Sequence, residues 1–198
     1  MVFIALGISG GTCVLLQDSL SLLTLAADGP RDVSCLMDVP SVLGIAHLPP
    51  CVCDIESSGE ALNQATIDVL PTGCTLYNAG GPTEATIYYL SRVVERNDLI
   101  RRLVCVGQPL ANVTCHVDDP NALLQMLQPV GIWGEMKIGG VQVTRGYLNR
   151  PEKTAEAFVA SLWFGIDPSG RGIVYRTGDR VRWYADGELE FGGRIDFQ

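Results

Sequence analysis

Seven residues constrain this chain most: Asn78-Ala79-Gly80-Gly81-Pro82-Thr83-Glu84, set between the apolar runs Cys74-Thr75-Leu76-Tyr77 and Ile87-Tyr88-Tyr89-Leu90. Two glycines and a proline in succession force a tight turn and let backbone approach a ligand closely. A hydroxyl and a carboxylate follow at once. They supply an O–H donor for a phosphate oxygen and a hard oxygen for Mg²⁺. The same pattern also serves as a plain polar loop between two strands, so its meaning depends on what surrounds it.

What precedes it alternates. Residues 13–16 read as a strand, and Asp18 can cap a helix through Ala27 that Gly29-Pro30 ends. A second apolar run covers 33–37, and Pro40 suits the first turn of a short helix reaching about His47. A third strand is expected at 51–56. A helix over 59–70 would place Leu62, Ala65 and Val69 on one face, and a fourth strand at 74–78 delivers the turn. Strand and helix at this spacing predict a parallel sheet with helices packed on it. Ligands on such sheets lie beyond the carboxyl ends of the strands. Both Glu56-Ser57-Ser58-Gly59-Glu60 and the 78–84 turn fall there.

The pattern changes near 96–102. Short strands are expected at 103–106, 113–118, 135–138, 174–176, 180–184 and 188–191. Asp119-Pro120-Asn121, Gly139-Gly140 and Ala185-Asp186-Gly187 mark turns, and one helix over 151–159 begins at Pro151. The expected fold is α/β: a parallel sheet with packed helices over 1–100, followed by a small distorted β-barrel subdomain over 101–192.

Composition excludes several functions. The formal net charge of −8 argues against nucleic acid as a partner, since phosphate backbones are held by Lys and Arg. A nucleotide is not excluded, because one Mg²⁺ and a few donors can hold it. The seven cysteines form no Cys-x-x-Cys and most sit in apolar runs, which points to a reducing, cytoplasmic chain. Cys51-x-Cys53 lacks nearby companions for a zinc site. Residues 1–16 are apolar, but no Lys or Arg precedes Arg31 and glycines interrupt the run. Neither a secretory signal nor a membrane span is expected.

Three further motifs carry chemistry. Gly7-x-x-Gly10-Gly11-Thr12 is glycine-rich but lacks the Gly-Lys-Ser/Thr ending of a phosphate loop. In Tyr175-Arg176-Thr177-Gly178-Asp179, an Asp after a glycine turn between two strands either accepts both hydroxyls of a ribose or caps its own turn. In Gly193-Arg194-Ile195-Asp196, Arg194 either approaches a phosphate or ribose, or pairs with Asp186 or Asp196 at the surface. Phe191 either stacks on a base or fills the core.

In this order and spacing, 78–84, Gly134-Glu135-Met136-Lys137-Ile138-Gly139-Gly140, Arg145-Gly146-Tyr147-Leu148, 175–179 and 193–198 resemble the adenylation domains of nonribosomal peptide synthetases. Those belong to the adenylate-forming superfamily with acyl-CoA synthetases and luciferases. The resemblance spans essentially the whole chain and is densest from Leu76 onward. Gly107-Gln108-Pro109-Leu110 before a strand ending in Asp118 agrees with it. Tyr147-Leu148-Asn149-Arg150-Pro151-Glu152-Lys153-Thr154 and Val181-Arg182-Trp183 favour the peptide-synthetase branch.

The resemblance implies an AMP-forming ligase. An amino acid and MgATP give aminoacyl-AMP and pyrophosphate, and the acyl group then passes to the phosphopantetheine thiol of a carrier. Peptidyl carrier and condensation domains of the same synthetase are the implied partners. Thr83 would contact the α-phosphate, and Glu84 would hold Mg²⁺. Asn78 and the backbone near Gly59 would read the adenine edge. Asp179 would bind the ribose hydroxyls with Arg194 beside it, and Phe191 would pack on the nucleoside. The acid pocket would be lined by Met37, Glu56, Ser58, Ala79, Ile87 and Tyr88. A carboxylate there needs a partner, so Glu56 points either to a cationic or strongly donating substrate side chain or to pairing with a protein Arg or solvent. Asp196 would stand at a hinge beginning at 193–198.

Departures matter too. The residue before Gly81 is usually an aromatic that stacks on adenine, and here it is Gly80, which predicts weaker nucleotide binding. Ser57-Ser58 replaces a common glycine pair, and Gln142 and Thr144 stand where glycine and alanine are usual. The family's phosphate loop and amino-group-binding strand would lie before Met1, and its lysine-bearing C-terminal domain after Gln198. The expectation is a partial large domain, inactive alone. The alternatives are a non-catalytic remnant or a related ligase for fatty or aryl acids.

Overall fold

In the computed structural model, which describes residues 33–96, 98, 105–122, 125–161 and 172–195, the alternation of the first half is realised as three parallel strands. These are β1 (Cys35–Asp38), β2 (Asp54–Ser57) and β3 (Thr75–Gly80). The register aligns Met37 with Glu56, Glu56 with Tyr77, and Ser57 with Asn78. The strand expected at 13–16, the helix at 18–27 and the glycine-rich 7–12 stretch lie outside the described residues. The described residues form two compact units, one within Met1–Asn78 and Val93–Leu103, the other within Ala79–Arg92 and Val104–Gln198.

In the first unit, successive side chains on each strand point to opposite faces. Ile55, Ser57, Leu76 and Asn78 are buried on one face, and Met37, Glu56 and Tyr77 lie on the other. Two short helices complete the core: α1 (Pro40–Leu43) and α2 (Gln64–Asp68). Pro40 opens α1, where its missing N–H costs nothing. The helix expected over 59–70 is shortened to 64–68, and Asn63 is the reason. Its side chain accepts the Thr66 amide at 3.0 Å and fixes the cap there. The phase of the helix follows. Thr66 and Ile67 face inward, while Ala65, expected inward, is exposed. Thr66 Oγ1 donates to the Pro40 carbonyl at 3.0 Å and ties α2 to α1. Leu43, Ile55, Ile67 and Leu76 are each no more than 2% exposed. Burial of each such side chain stabilises by about 1.5–3 kcal/mol.

The second unit is built on antiparallel strands. They are β4 (Leu90–Val94), β5 (Cys105–Pro109), β6 (Val113–Asp118), β7 (Gly134–Gly140), β8 (Phe158–Ala160), β9 (Ile173–Trp183) and β10 (Leu189–Arg194), with helix α3 (Pro151–Ala157) before β8. The path runs β4-β5-β10-β9-β7-β6, with β8 added on β9. The expected barrel is therefore corrected to an open sheet. The edge of β6 that closure would need is taken locally. Asp119 N–H donates to the Met126 carbonyl at 2.8 Å, and Gln128 N–H to the Val117 carbonyl at 2.7 Å.

β7 is buried at all seven positions, so alternation fails there. The two charges it carries must be paired to be tolerated. Lys137 Nζ lies 2.5 Å from Asp118 Oδ2, and Arg176 binds both oxygens of Glu135 through Nε and Nη2. The strands expected at 174–176 and 180–184 are one strand, β9. Gly178, with φ +69°, sits in a bulge where the register with β7 shifts. The glycine turn between two strands is thus a bulge within one. No helix among the described residues is long and apolar enough to cross a membrane, and the six described cysteines are free thiols.

Candidate functional site

The Gly80–Glu84 stretch bends as anticipated, and close packing is the cause. A Cβ at position 81 would lie 1.9 Å from the Ile87 carbonyl oxygen, so only glycine fits. A Cβ at position 80 would meet nothing within 4 Å. Thr83–Ala85 form a single 3₁₀ turn after Pro82, whose carbonyl accepts the amides of Ala85 at 3.0 Å and Ile87 at 3.3 Å. Thr86 and Ile87 then adopt left-handed backbone, φ 57° and 73°. Both are β-branched, which makes this a strained pair.

Three bonds from one downstream segment pin the turn. Thr144 N–H donates to the Glu84 carbonyl at 2.8 Å, and Thr86 Oγ1 donates to the Gln142 carbonyl at 2.6 Å. Tyr147 Oη donates to Glu84 Oε1 at 2.6 Å. The Glu84 side chain is thereby half-buried and fixed, while Thr83 is exposed. Burial first, and then the bond to Glu84, push the Tyr147 phenol above its ordinary value; it is a neutral donor at pH 7. Burial and then the Glu84 charge raise Tyr175, which shares the cluster. An open cleft of about 480 Å³ adjoins the turn, lined by Thr86, Val141, Gln142, Val143, Thr144 and Arg145.

Asp179 and Arg194 are brought together across β9 and β10, paired in register. Arg194 Nη1 lies 3.2 Å from Asp179 Oδ1 and donates to the Thr177 carbonyl at 2.8 Å. Thr177 is buried, accepts the Asp179 amide at 3.0 Å and donates to the Met136 carbonyl at 2.9 Å. The bulge therefore presents Asp179 in a fixed pose. Arg194 pairs with Asp179 rather than with Asp186, and Asp196 lies outside the described residues. Phe191 is partly buried and packs against the core of this unit. Ala79 is buried, Tyr88 is partly buried and Ile87 is exposed.

The first unit places Met37 and Glu56 side by side in register, with Ser58 and Gly59 just past the end of β2. Asn78 is 7% exposed, and it stands on the face of the strand opposite Glu56, level with Ser57.

Sequence reasoning gave no role to Tyr147, Thr144 or Thr177. Tyr147 belongs to a run used only as a family signature, and Thr144 was noted only as a departure from the family's usual alanine. Tyr147 meets Glu84 across 63 residues, a contact that no local pattern signals.

A magnesium ion fits the chemistry here. No group of three metal-ligating side chains occurs among the described residues, so an ion would be shared between one carboxylate and the oxygens of a ligand. That is how Mg²⁺ is bound with nucleotides: one or two carboxylates, substrate phosphates and waters. The pinned Glu84 is the carboxylate here that could take that place.

Known proteins resemble the chain in both sequence and fold. The model of the family described as AMP-binding enzyme matches residues 5–148. The nonribosomal peptide synthetase agiA of Aspergillus flavus is 40% identical over 151 residues, which is 76% of this chain and 2% of that protein. Tyrocidine synthase 3 of Brevibacillus parabrevis is 38% identical over 211 residues, 96% of this chain and 3% of its own length. A crystal structure of a four-domain nonribosomal peptide synthetase bound to AMP and glycine matches with a TM-score of 0.72 and 30% identity, over 92% of this chain and 13% of that one. The chain thus spans only a small part of the relatives it matches. A tight glycine turn carrying a fixed carboxylate, inside the 5–148 stretch that the family model matches, leaves one conclusion: the chain belongs to the AMP-binding enzyme family.

Proposed function

We propose that the chain is part of an amino-acid-activating adenylation domain, one that joins an amino acid to AMP and releases pyrophosphate. The observation that carries this reading is the fixed Glu84, its carboxylate held by Tyr147 at one oxygen and its backbone carbonyl by the Thr144 N–H. Such chemistry rests on placement and on charge neutralisation in the transition state. Bound Mg²⁺ would neutralise phosphate charge, with Glu84 as its protein ligand. Thr83 offers its hydroxyl to the α-phosphate. Asp179, oriented by Arg194 and the Thr177 bonds, accepts the ribose hydroxyls. Gly59 and Asn78 are assigned to the adenine edge, and Phe191 to the nucleoside.

The acid pocket is assigned to Met37, Glu56, Ser58, Ala79, Ile87 and Tyr88. The product would pass to a phosphopantetheine thiol on a carrier domain of the same cytoplasmic synthetase. Asp196 is assigned to the hinge that opens at 193–198. Relatives named as peptide synthetases and a structural neighbour bound to AMP and glycine support the reading.

A non-catalytic scaffold is the second reading, and the open space beside Gly80 favours it. Calorimetric titration of MgATP into the full-length protein separates the two. The expected result is saturable binding that Glu84→Ala abolishes. No binding, or binding indifferent to Glu84→Ala, would sink the adenylation reading.

A further inference from the structure

The run 145–154 earns its place in the sequence as a family signature, yet its contacts give it a job. A Cβ at Gly146 would lie 2.3 Å from Thr154 Cγ2, so the chain lies directly on α3. Tyr147 N–H donates to Thr154 Oγ1 at 2.9 Å, and that hydroxyl donates to the Arg150 carbonyl at 2.8 Å. The Tyr147 ring meets Phe158 edge-on at 5.6 Å, and Phe158 meets Tyr175 at 5.2 Å. Backbone and ring are both anchored, and the one polar atom the ring carries is directed at Glu84.

We propose that Tyr147 is a positioning residue: its phenol holds the Glu84 carboxylate in the orientation that receives the nucleotide-bound metal. The proposal rests on the adenylation reading of Glu84. A free glutamate samples several rotamers, and ordering it on metal binding costs entropy. A carboxylate already hydrogen-bonded has lost that freedom in advance. Outer-shell donors of this kind typically change metal affinity or activity by about 10–100-fold. Tyr147→Phe removes the hydroxyl and keeps the ring on Phe158, so packing is retained.

The test uses the full-length protein with ATP and Mn²⁺, following the loss of the free-ion electron paramagnetic resonance signal. Tyr147→Phe, Glu84→Gln and the double variant are compared. The expected result is a rise of about tenfold in half-saturating Mn²⁺ for Tyr147→Phe, with the KM for amino acid unchanged. Glu84→Gln should raise it at least as far, and adding Tyr147→Phe should then do nothing more. If Glu84→Gln raises it and Tyr147→Phe does not, the positioning role is overturned and Glu84 keeps its own. If the two effects add, Tyr147 acts through the fold and the proposal is overturned. If neither variant shifts it, Glu84 does not hold the ion, and both assignments fall.

Discussion

Two ion pairs in the second unit have the same chemistry and opposite settings. Lys137 and Asp118 are sealed between β6 and β7, with side-chain exposures of 10% and 2%. Arg194 and Asp179 sit at the β9 bulge, exposed by 43% and 18%. The first pair serves the architecture, because almost none of it is exposed. His116, across from Lys137 in the register, shares that interior; burial holds it well below its usual range, at about 4, and it is neutral at pH 7. The second pair orients a carboxylate and still leaves it reachable. The difference shows how one sheet separates charges that hold it together from charges it can lend to a ligand.

Breaking the sealed pair should have the largest effect. Lys137→Met leaves Asp118 charged, buried and alone, at a cost of about 3–5 kcal/mol. Urea denaturation measures it, and adding Asp118→Leu should recover most of the loss. A cost below about 1 kcal/mol would mean that the interior is wetter than its geometry implies. Next comes the open side of the site. Position 80 has room for a side chain, so Gly80→Tyr should tighten nucleotide binding by about one to two decades, the worth of one base stacked on an aromatic ring. Equal or weaker binding by calorimetry would count against the role given to this turn. The smallest effect sharpens the contrast: Arg194→Ala should cost less than about 1 kcal/mol of stability. A loss matching Lys137→Met in the same urea assay would erase the distinction.

Much of this was legible in the residues. The parallel strands of the first half, the turn at 78–84 and the short strands of the second half follow from alternation and from glycine and proline placement. Strand 113–118 was read to the residue. What failed did so for identifiable reasons. Asn63 reset the phase of α2 through a single cap bond. The continuity of β9 was hidden because Thr177-Gly178-Asp179 has turn composition, yet the neighbouring strands hold it as a bulge. The small distorted barrel is the expectation because short strands separated by turns favour a rolled sheet; the 126–128 segment occupies the edge of β6 and the sheet stays open. Tyr147 could not be found, because a contact across 63 residues depends on where the fold puts both ends.

The left-handed pair Thr86 and Ile87 has a mechanical consequence. Each such residue holds about 1–3 kcal/mol of strain. That strain is kept in place by the bonds to Gln142 and Thr144, so loosening the 142–144 segment would also loosen the turn that carries Glu84.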